Sequence, residues 1–305
     1  MGMARWKCDE WDDYVSSTST KTAREIFGRR SIHRDLDPKR INFRESCDSP
    51  FNPLSTPIIV AVDETGSMGM LAENLIRHGL GVLLEEIYER KPVTDPHVMC
   101  MALGDAWHDS APLQVTQFEA DIRLADQLSK FYIEGNGGGN SYESYNLPWY
   151  FAATRTKCDA LLKRNKRGYL FTVGDEPPPP VLLAKHVRKF LGDGLQRDMP
   201  TRYVLALAAK SWEIFHIIVE EGSYCRSRPD ETKAAWRDLL GQRAIAMSDH
   251  TQLAELIVST IEVNEGADLA RVVGSWDSHT GRVVHHALED LSGAVTVTDL
   301  GAHWL

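Results

Sequence analysis

Residues 57–67 read PIIVAVDETGS, and this stretch decides the fold. Residues 57–62 form an unbroken apolar, β-branched run, the pattern of a strand covered on both faces. The polar turn Asp63-Glu64-Thr65-Gly66-Ser67 follows at once. Beyond it Leu71, Leu75, Ile76, Leu80, Leu83, Leu84 and Ile87 recur at helical spacing. A strand, a tight turn and a helix are therefore expected in that order.

The unit repeats along the chain. Residues 98–103 (VMCMAL), 169–173 (YLFTV), 214–219 (IFHIIV) and 244–247 (AIAM) read as further strands, and 113–118 (LQVTQF) alternates like an edge strand. Helical patterns cover 121–131, 149–163, 181–191, 231–240 and 252–261, and a short helix is expected over 20–27 before Gly28. Strands alternating with helices imply an α/β fold. The expected form is a doubly wound, mostly parallel sheet of about six strands with helices on both faces. Residues 1–55 are polar and charged and read as an N-terminal extension; 56–265 hold the α/β domain. Residues 266–305 form a C-terminal extension packing on the body, with a short strand at 294–297 and a tail ending in Trp304-Leu305.

Composition narrows the function. The 305 residues are 43% hydrophobic and 25% charged, ordinary for a globular chain. With 34 basic and 43 acidic residues the formal charge is −9, which argues against a general nucleic-acid or anionic-membrane binder. No run is long and apolar enough for a transmembrane helix, and the start MGMARWKCDEWDDY lacks the apolar centre of a secretory signal. Cys8, Cys47, Cys100, Cys158 and Cys225 are scattered with no CxxC pair, so a reducing cytoplasm is the expected compartment.

Three loops carry the chemistry. In the turn after residue 62, alternation aims Asp63, Thr65 and Ser67 at one point, and Gly66 lets the turn close. Hard oxygen donors converging there suit Mg²⁺ or Mn²⁺. The same residues also suit a helix cap, with Thr65 or Ser67 as capping hydroxyl and Asp63 at the positive helix end. Asp175 ends another buried strand and is expected on the same sheet edge, although Gly174-Asp175 also fits a surface turn. The glycine-rich loop 135–141 (GNGGGNS) lacks the Lys-Ser/Thr ending of a P-loop, and reads as a loop delivering Asn140, Ser141 or Glu143 to a shared site. Asp105, His108 and Asp109 cluster after a strand, either on the rim of the same face or in a solvated loop. His216 lies inside an apolar strand and reads as a core residue; His285 and His286 are neighbours that face different ways. The basic tract 163–167 (KRNKR) reads as a solvated helix end.

The order strand, DxTGS turn, helix, glycine-rich loop and strand ending in Asp resembles a von Willebrand factor A (VWA) domain, over about residues 56–265 and most clearly at 58–69 (IIVAVDETGSMG). The resemblance implies a Rossmann-like fold carrying a metal ion-dependent adhesion site. The family's DxSxS loop maps onto Asp63, Thr65 and Ser67, with threonine at the first serine position, and its later strand-end acid maps onto Asp175. No residue matches the family's middle-loop threonine; Asn140 and Ser141 are nearest. Glu143, Asp105 and Glu64 would form the partner-binding rim, with Glu64 exposed. The resemblance further implies Mg²⁺, Mn²⁺ or Ca²⁺ as cofactor and a protein partner whose acidic side chain completes the coordination. An intracellular chain of bacterial or phage type, serving as an adaptor for an AAA+ ATPase or as part of a larger assembly, fits the same resemblance. On this reading the chain is not an enzyme. The alternatives are a Mg²⁺-dependent phosphoesterase, for which position 65 lacks the second acid, and a metal-free VWA scaffold.

Overall fold

A computed structural model describes residues 7, 9–10, 13–14, 16, 28–66, 68, 80–134 and 142–291. The run at 57–62 lies within strand β1 (Thr56–Asp63), all of whose residues are buried. The strands β2 (Pro96–Leu103), β3 (Leu113–Val115), β4 (Gly168–Gly174), β5 (Trp212–Val219) and β6 (Ala244–Met247) complete a six-stranded sheet. Its order is β6-β5-β4-β1-β2-β3. Every pairing is parallel except β2 with β3, where Met101 faces Val115 and Leu103 faces Leu113.

The described helices of eight or more residues are α1 (Leu80–Arg90), α2 (Asn146–Thr154), α3 (Thr201–Ala208), α4 (Pro229–Leu240), α5 (Leu253–Asn264) and α6 (Ser278–Leu288). Alternation along β1 feeds two cores. Ile58, Val60 and Val62 pack with Leu83, Leu84 and Ile87 of α1 and Leu256, Ile257 and Ile261 of α5. Ile59 and Ala61 turn to the other face, with Leu147 and Phe151 of α2, Val204 and Leu205 of α3, and Trp236 and Leu240 of α4. Both faces are covered, which is why these strands read as continuous apolar runs.

Both flanking segments join this body. Arg44–Ser46 pairs in parallel with Thr156–Cys158. Beyond residue 265, Val272, Val284, Leu288 and Leu291 enter the first core, and Trp276 Nε1 donates to Ser259 Oγ at 2.8 Å.

Several helices differ from expectation. The helix expected over 149–163 is split into α2 and Asp159–Arg164, because Thr156–Cys158 is drawn out as a strand by its upstream partner. The helix expected over 181–191 begins only at Ala184, since Val181–Leu182 pairs antiparallel with Met199–Pro200. Its last turn, Val187–Leu191, widens before Gly192 at φ +79°. The helix expected over 121–131 contracts to Arg123–Leu128, and the edge strand to Leu113–Val115. Helix α3 and the helices after 265 carry no expectation from the sequence. The expected helix at 20–27, the residues 71–79 before α1, the strand at 294–297 and the tail at 301–305 lie outside the described residues.

The chain leaves β1 toward β2 and leaves β4 toward β5, on opposite sides of the β1–β4 pair. That reversal opens a crevice beyond the carboxyl ends of β1 and β4, the usual ligand position in such sheets.

Candidate metal centre

Register places the two strand-end aspartates at this crevice. Val62 faces Val173, so Asp63 and Asp175 lie just past the last paired residues of neighbouring strands. Both are fully buried. Asp63 Oδ1 accepts the Thr65 N–H at 2.8 Å and the Thr65 hydroxyl at 2.6 Å, which folds the loop back over the strand end. Asp63 Oδ2 accepts the Tyr145 hydroxyl at 2.8 Å. Asp175 Oδ2 accepts the Tyr224 N–H at 2.8 Å.

Two glycines make this packing possible. A Cβ on Gly174 would overlap the Tyr145 hydroxyl, and one on Gly222 would overlap the Asp175 carboxylate. Below lies an aromatic floor. Tyr145 meets Trp236 edge-on at 5.2 Å between centroids, and His216 stacks on Trp236 at 3.5 Å. His216 is buried beside the Thr172 hydroxyl at 2.9 Å, and burial drives its imidazole far toward the neutral form, in agreement with its reading as a core residue.

Five further carboxylates crowd the same end of the sheet: Glu64, Asp105, Asp109, Glu143 and Glu176, all buried. Glu64 accepts from Gln114 Nε2 at 3.2 Å through Oε1. Asp105 accepts the Trp107 N–H at 3.0 Å and meets His108 Nδ1; Asp109 accepts the Asp105 N–H at 2.7 Å. Glu64 Oε2, Asp109 Oδ1 and Glu143 Oε2 are buried with no hydrogen-bond partner among the described residues. For Asp63, Glu64, Asp105, Asp109 and Glu143, the only described basic side chain within 4.0 Å is the His108 imidazole on Asp105.

The electrostatic result is strong frustration. Burial, then the Asp175 charge, raises the Asp63 carboxyl well above the carboxylate range, against the pull of the Thr65 and Tyr145 donors. Burial, then Asp63, Glu176 and Asp105, raises Glu143 far more. Glu64 is raised by burial and Asp109; Asp109 is pushed up to about 6 by burial first, while the Asp105 N–H opposes the shift.

The sequence expectations fare unevenly. Asp63, Thr65 and Asp175 come together at the crevice. Ser67, Asn140 and Ser141 lie outside the described residues. Glu64, expected exposed, is only 3% exposed, and its companions in the expected rim, Glu143 and Asp105, are 2% and 0% exposed. The loops after β1 and β2 and the segment before α2 fold over one another and turn these carboxylates inward, Glu64 onto Gln114 of the edge strand. Tyr145 and Glu176 carry no signal in the sequence, since each enters the site only through the fold. Among the described residues, the one trio of His, Cys, Asp or Glu donors within 4.8 Å of one another is Glu221, Asp249 and His250, outside the crevice set.

No protein-family model matches the chain, and no curated protein does. Solved structures with a similar course include the open conformation of the pilus adhesin SpaC from Lactobacillus rhamnosus GG, at 10% identity, covering 72% of this chain and 31% of that one, with a TM-score of 0.43. Proximal thread matrix protein 1 from the mussel byssus is similar at 10% identity, over 71% of this chain and 48% of that one, with a TM-score of 0.44. A von Willebrand factor type A structure from Catenulispora acidiphila is similar at 11% identity, over 68% and 42%, with a TM-score of 0.37. This chain spans less than half the length of each. The fold itself rests on the strand order and register of the chain.

Proposed function

We propose that the chain is a protein-interaction module whose binding depends on a divalent cation in the β1–β4 crevice. The observation that carries the reading is the set of buried carboxylates around Asp63 and Asp175, with Glu143 Oε2 buried and unpartnered. Buried anions of this density need a compensating positive charge, and no described lysine or arginine reaches Asp63 or Glu143. The donor set fits a hard ion. Asp63, Thr65 and Asp175, with Ser67 and one of Asn140 or Ser141, would hold Mg²⁺, Mn²⁺ or Ca²⁺. The bound ion would supply the charge that an acidic side chain of a partner pairs with. Asp63 and Asp175 anchor the donor set, Tyr145 and Gly222 position them, and the aromatic floor keeps water from beneath. A protein partner with an acidic residue, service to an AAA+ ATPase or a larger assembly, and a cytoplasmic setting belong to the same proposal. No described helix is long and apolar enough to cross a membrane, and the described cysteines are free thiols.

Titration of the full chain with Mn²⁺, alone and as Asp63→Ala and Asp175→Ala, tests the ion; capture of partners with and without EDTA tests the dependence. Saturable Mn²⁺ binding lost in both variants supports the reading. Partner capture indifferent to EDTA and to Asp63→Ala overturns it.

A metal-free scaffold is the second reading, favoured by the fact that both Asp63 oxygens already accept hydrogen bonds from this chain. A flat Mn²⁺ titration would select it.

A further inference from the structure

A second group of donors lies at the same end of the sheet, independent of the Asp63 crevice. Glu221 follows β5, Asp249 and His250 follow β6, and His279 lies in the first turn of α6. One donor atom each from Glu221, Asp249 and His250 falls within 4.8 Å of the other two. His250 Nδ1 is 2.8 Å from Glu221 Oε2, and His279 Nε2 is 2.9 Å from Asp249 Oδ2.

The geometry points to a transition-metal site of the zinc class, formed by the imidazoles of His250 and His279 with the carboxylates of Glu221 and Asp249. A mixed set of two nitrogen and two oxygen donors suits Zn²⁺, Ni²⁺ or Co²⁺ rather than Mg²⁺. A tetrahedral ion with bonds of about 2.0–2.1 Å holds neighbouring donors roughly 3.3 Å apart, so the 2.8 Å and 2.9 Å pairs open slightly around it, and His279, which touches Asp249 but lies outside the trio, swings toward Glu221 and His250 to complete the set. Both carboxylates are already oriented. Asp249 Oδ1 is held by the Thr251 N–H at 3.0 Å and its hydroxyl at 2.6 Å, which leaves Oδ2 for the site. The His250 N–H holds Glu221 Oε2 at 2.6 Å. Among the described residues, neither carboxylate has a lysine or arginine within 4.0 Å; the basic group that each meets is an imidazole. With neutral imidazoles the group carries two negative charges, which a divalent ion balances. Because His279 belongs to the segment after residue 265, the ion would staple α6 to the loops of β5 and β6.

The test is a Zn²⁺ titration of the full chain by calorimetry in saturating Mg²⁺, with the visible absorption of bound Co²⁺ as a reporter of tetrahedral coordination. The expected result is one equivalent bound, a Zn²⁺-dependent rise in Tm, and at least about tenfold weaker binding in His250→Gln or His279→Gln. Asp63→Ala and His285→Gln should bind Zn²⁺ as the parent does, which separates this site from the crevice and from the other exposed histidines of α6. Absence of a saturable equivalent overturns the assignment, as does parent-like Zn²⁺ affinity in the His250→Gln/His279→Gln double variant.

Discussion

Tyr145 donates its phenolic hydrogen to Asp63 Oδ2 at 2.8 Å, joining the N-cap of α2 to the end of β1 across 82 positions of sequence. The hydroxyl also accepts the Glu176 N–H at 3.4 Å, so one side chain ties together the loops after β1 and β4. Removing that oxygen strands a buried carboxylate oxygen without its donor. Tyr145→Phe is therefore expected to lose about 1–3 kcal/mol in urea unfolding without divalent cations. A variant as stable as the parent would show that the bond contributes nothing.

Gly174 and Gly222 set the spacing of the crevice. Alanine at Gly174 collides with Tyr145, and alanine at Gly222 with Asp175. Each substitution is expected to cost about 1–3 kcal/mol, through overpacking in a site with no room to yield, and to weaken Mn²⁺ binding. Gly274→Ala, where a Cβ meets nothing within 4 Å, should stay within about 0.5 kcal/mol of the parent. Chemical denaturation of the three variants together separates overlap from any general intolerance of alanine.

His97 contributes an acid-sensitive term to stability. It is 1% exposed in β2, with Nδ1 at 3.0 Å from Ser46 Oγ, and burial pushes its imidazole down from 6.5 to about 4. Between those values the unfolded chain holds a proton on this ring and the folded chain does not. Stability is thus fully present above pH 6.5 and falls as the pH drops, by up to roughly 1.4 kcal/mol per unit from this group, until about pH 4. The raised carboxyls of Asp63, Glu64, Asp109 and Glu143 push the other way in this window, so the measurement is the difference between parent and His97→Gln denaturation midpoints, which should carry the His97 slope.

Arg155 anchors the upstream segment. Its guanidinium donates to Pro38 O at 3.3 Å and Leu191 O at 2.9 Å, and also reaches Ile41 O and the Asp193 carboxylate. Arg155→Met leaves several buried acceptors bare, at an expected cost of about 3 kcal/mol or more. Limited proteolysis should then cut within residues 28–55 faster than in the parent; equal cleavage rates would remove Arg155 from this role.

The strands were legible because both faces of a parallel sheet demand apolar side chains, so β1, β2, β4 and β5 stand out as runs that end in polar turns. The same logic placed Asp63 and Asp175 at one edge. The break in the helix expected over 149–163 was not legible, since Thr156–Cys158 extends only in the presence of Arg44–Ser46, far upstream. Nor was the inward turn of Glu64 and Glu143, because burying a carboxylate contradicts local polarity and occurs only when two loops close on each other. Tyr145 carried no signal either, because only the fold sets it against Asp63.

The two borders of the sheet have a consequence for how the protein can be approached. One border strand, β3, is three residues long and the other, β6, is four. Such short margins give a foreign strand too few free backbone groups to zip onto, which protects the molecule from edge-to-edge polymerisation. Strand addition is disfavoured at both borders, which leaves side chains on loops and helices, rather than main-chain ladders, as the groups open to contact.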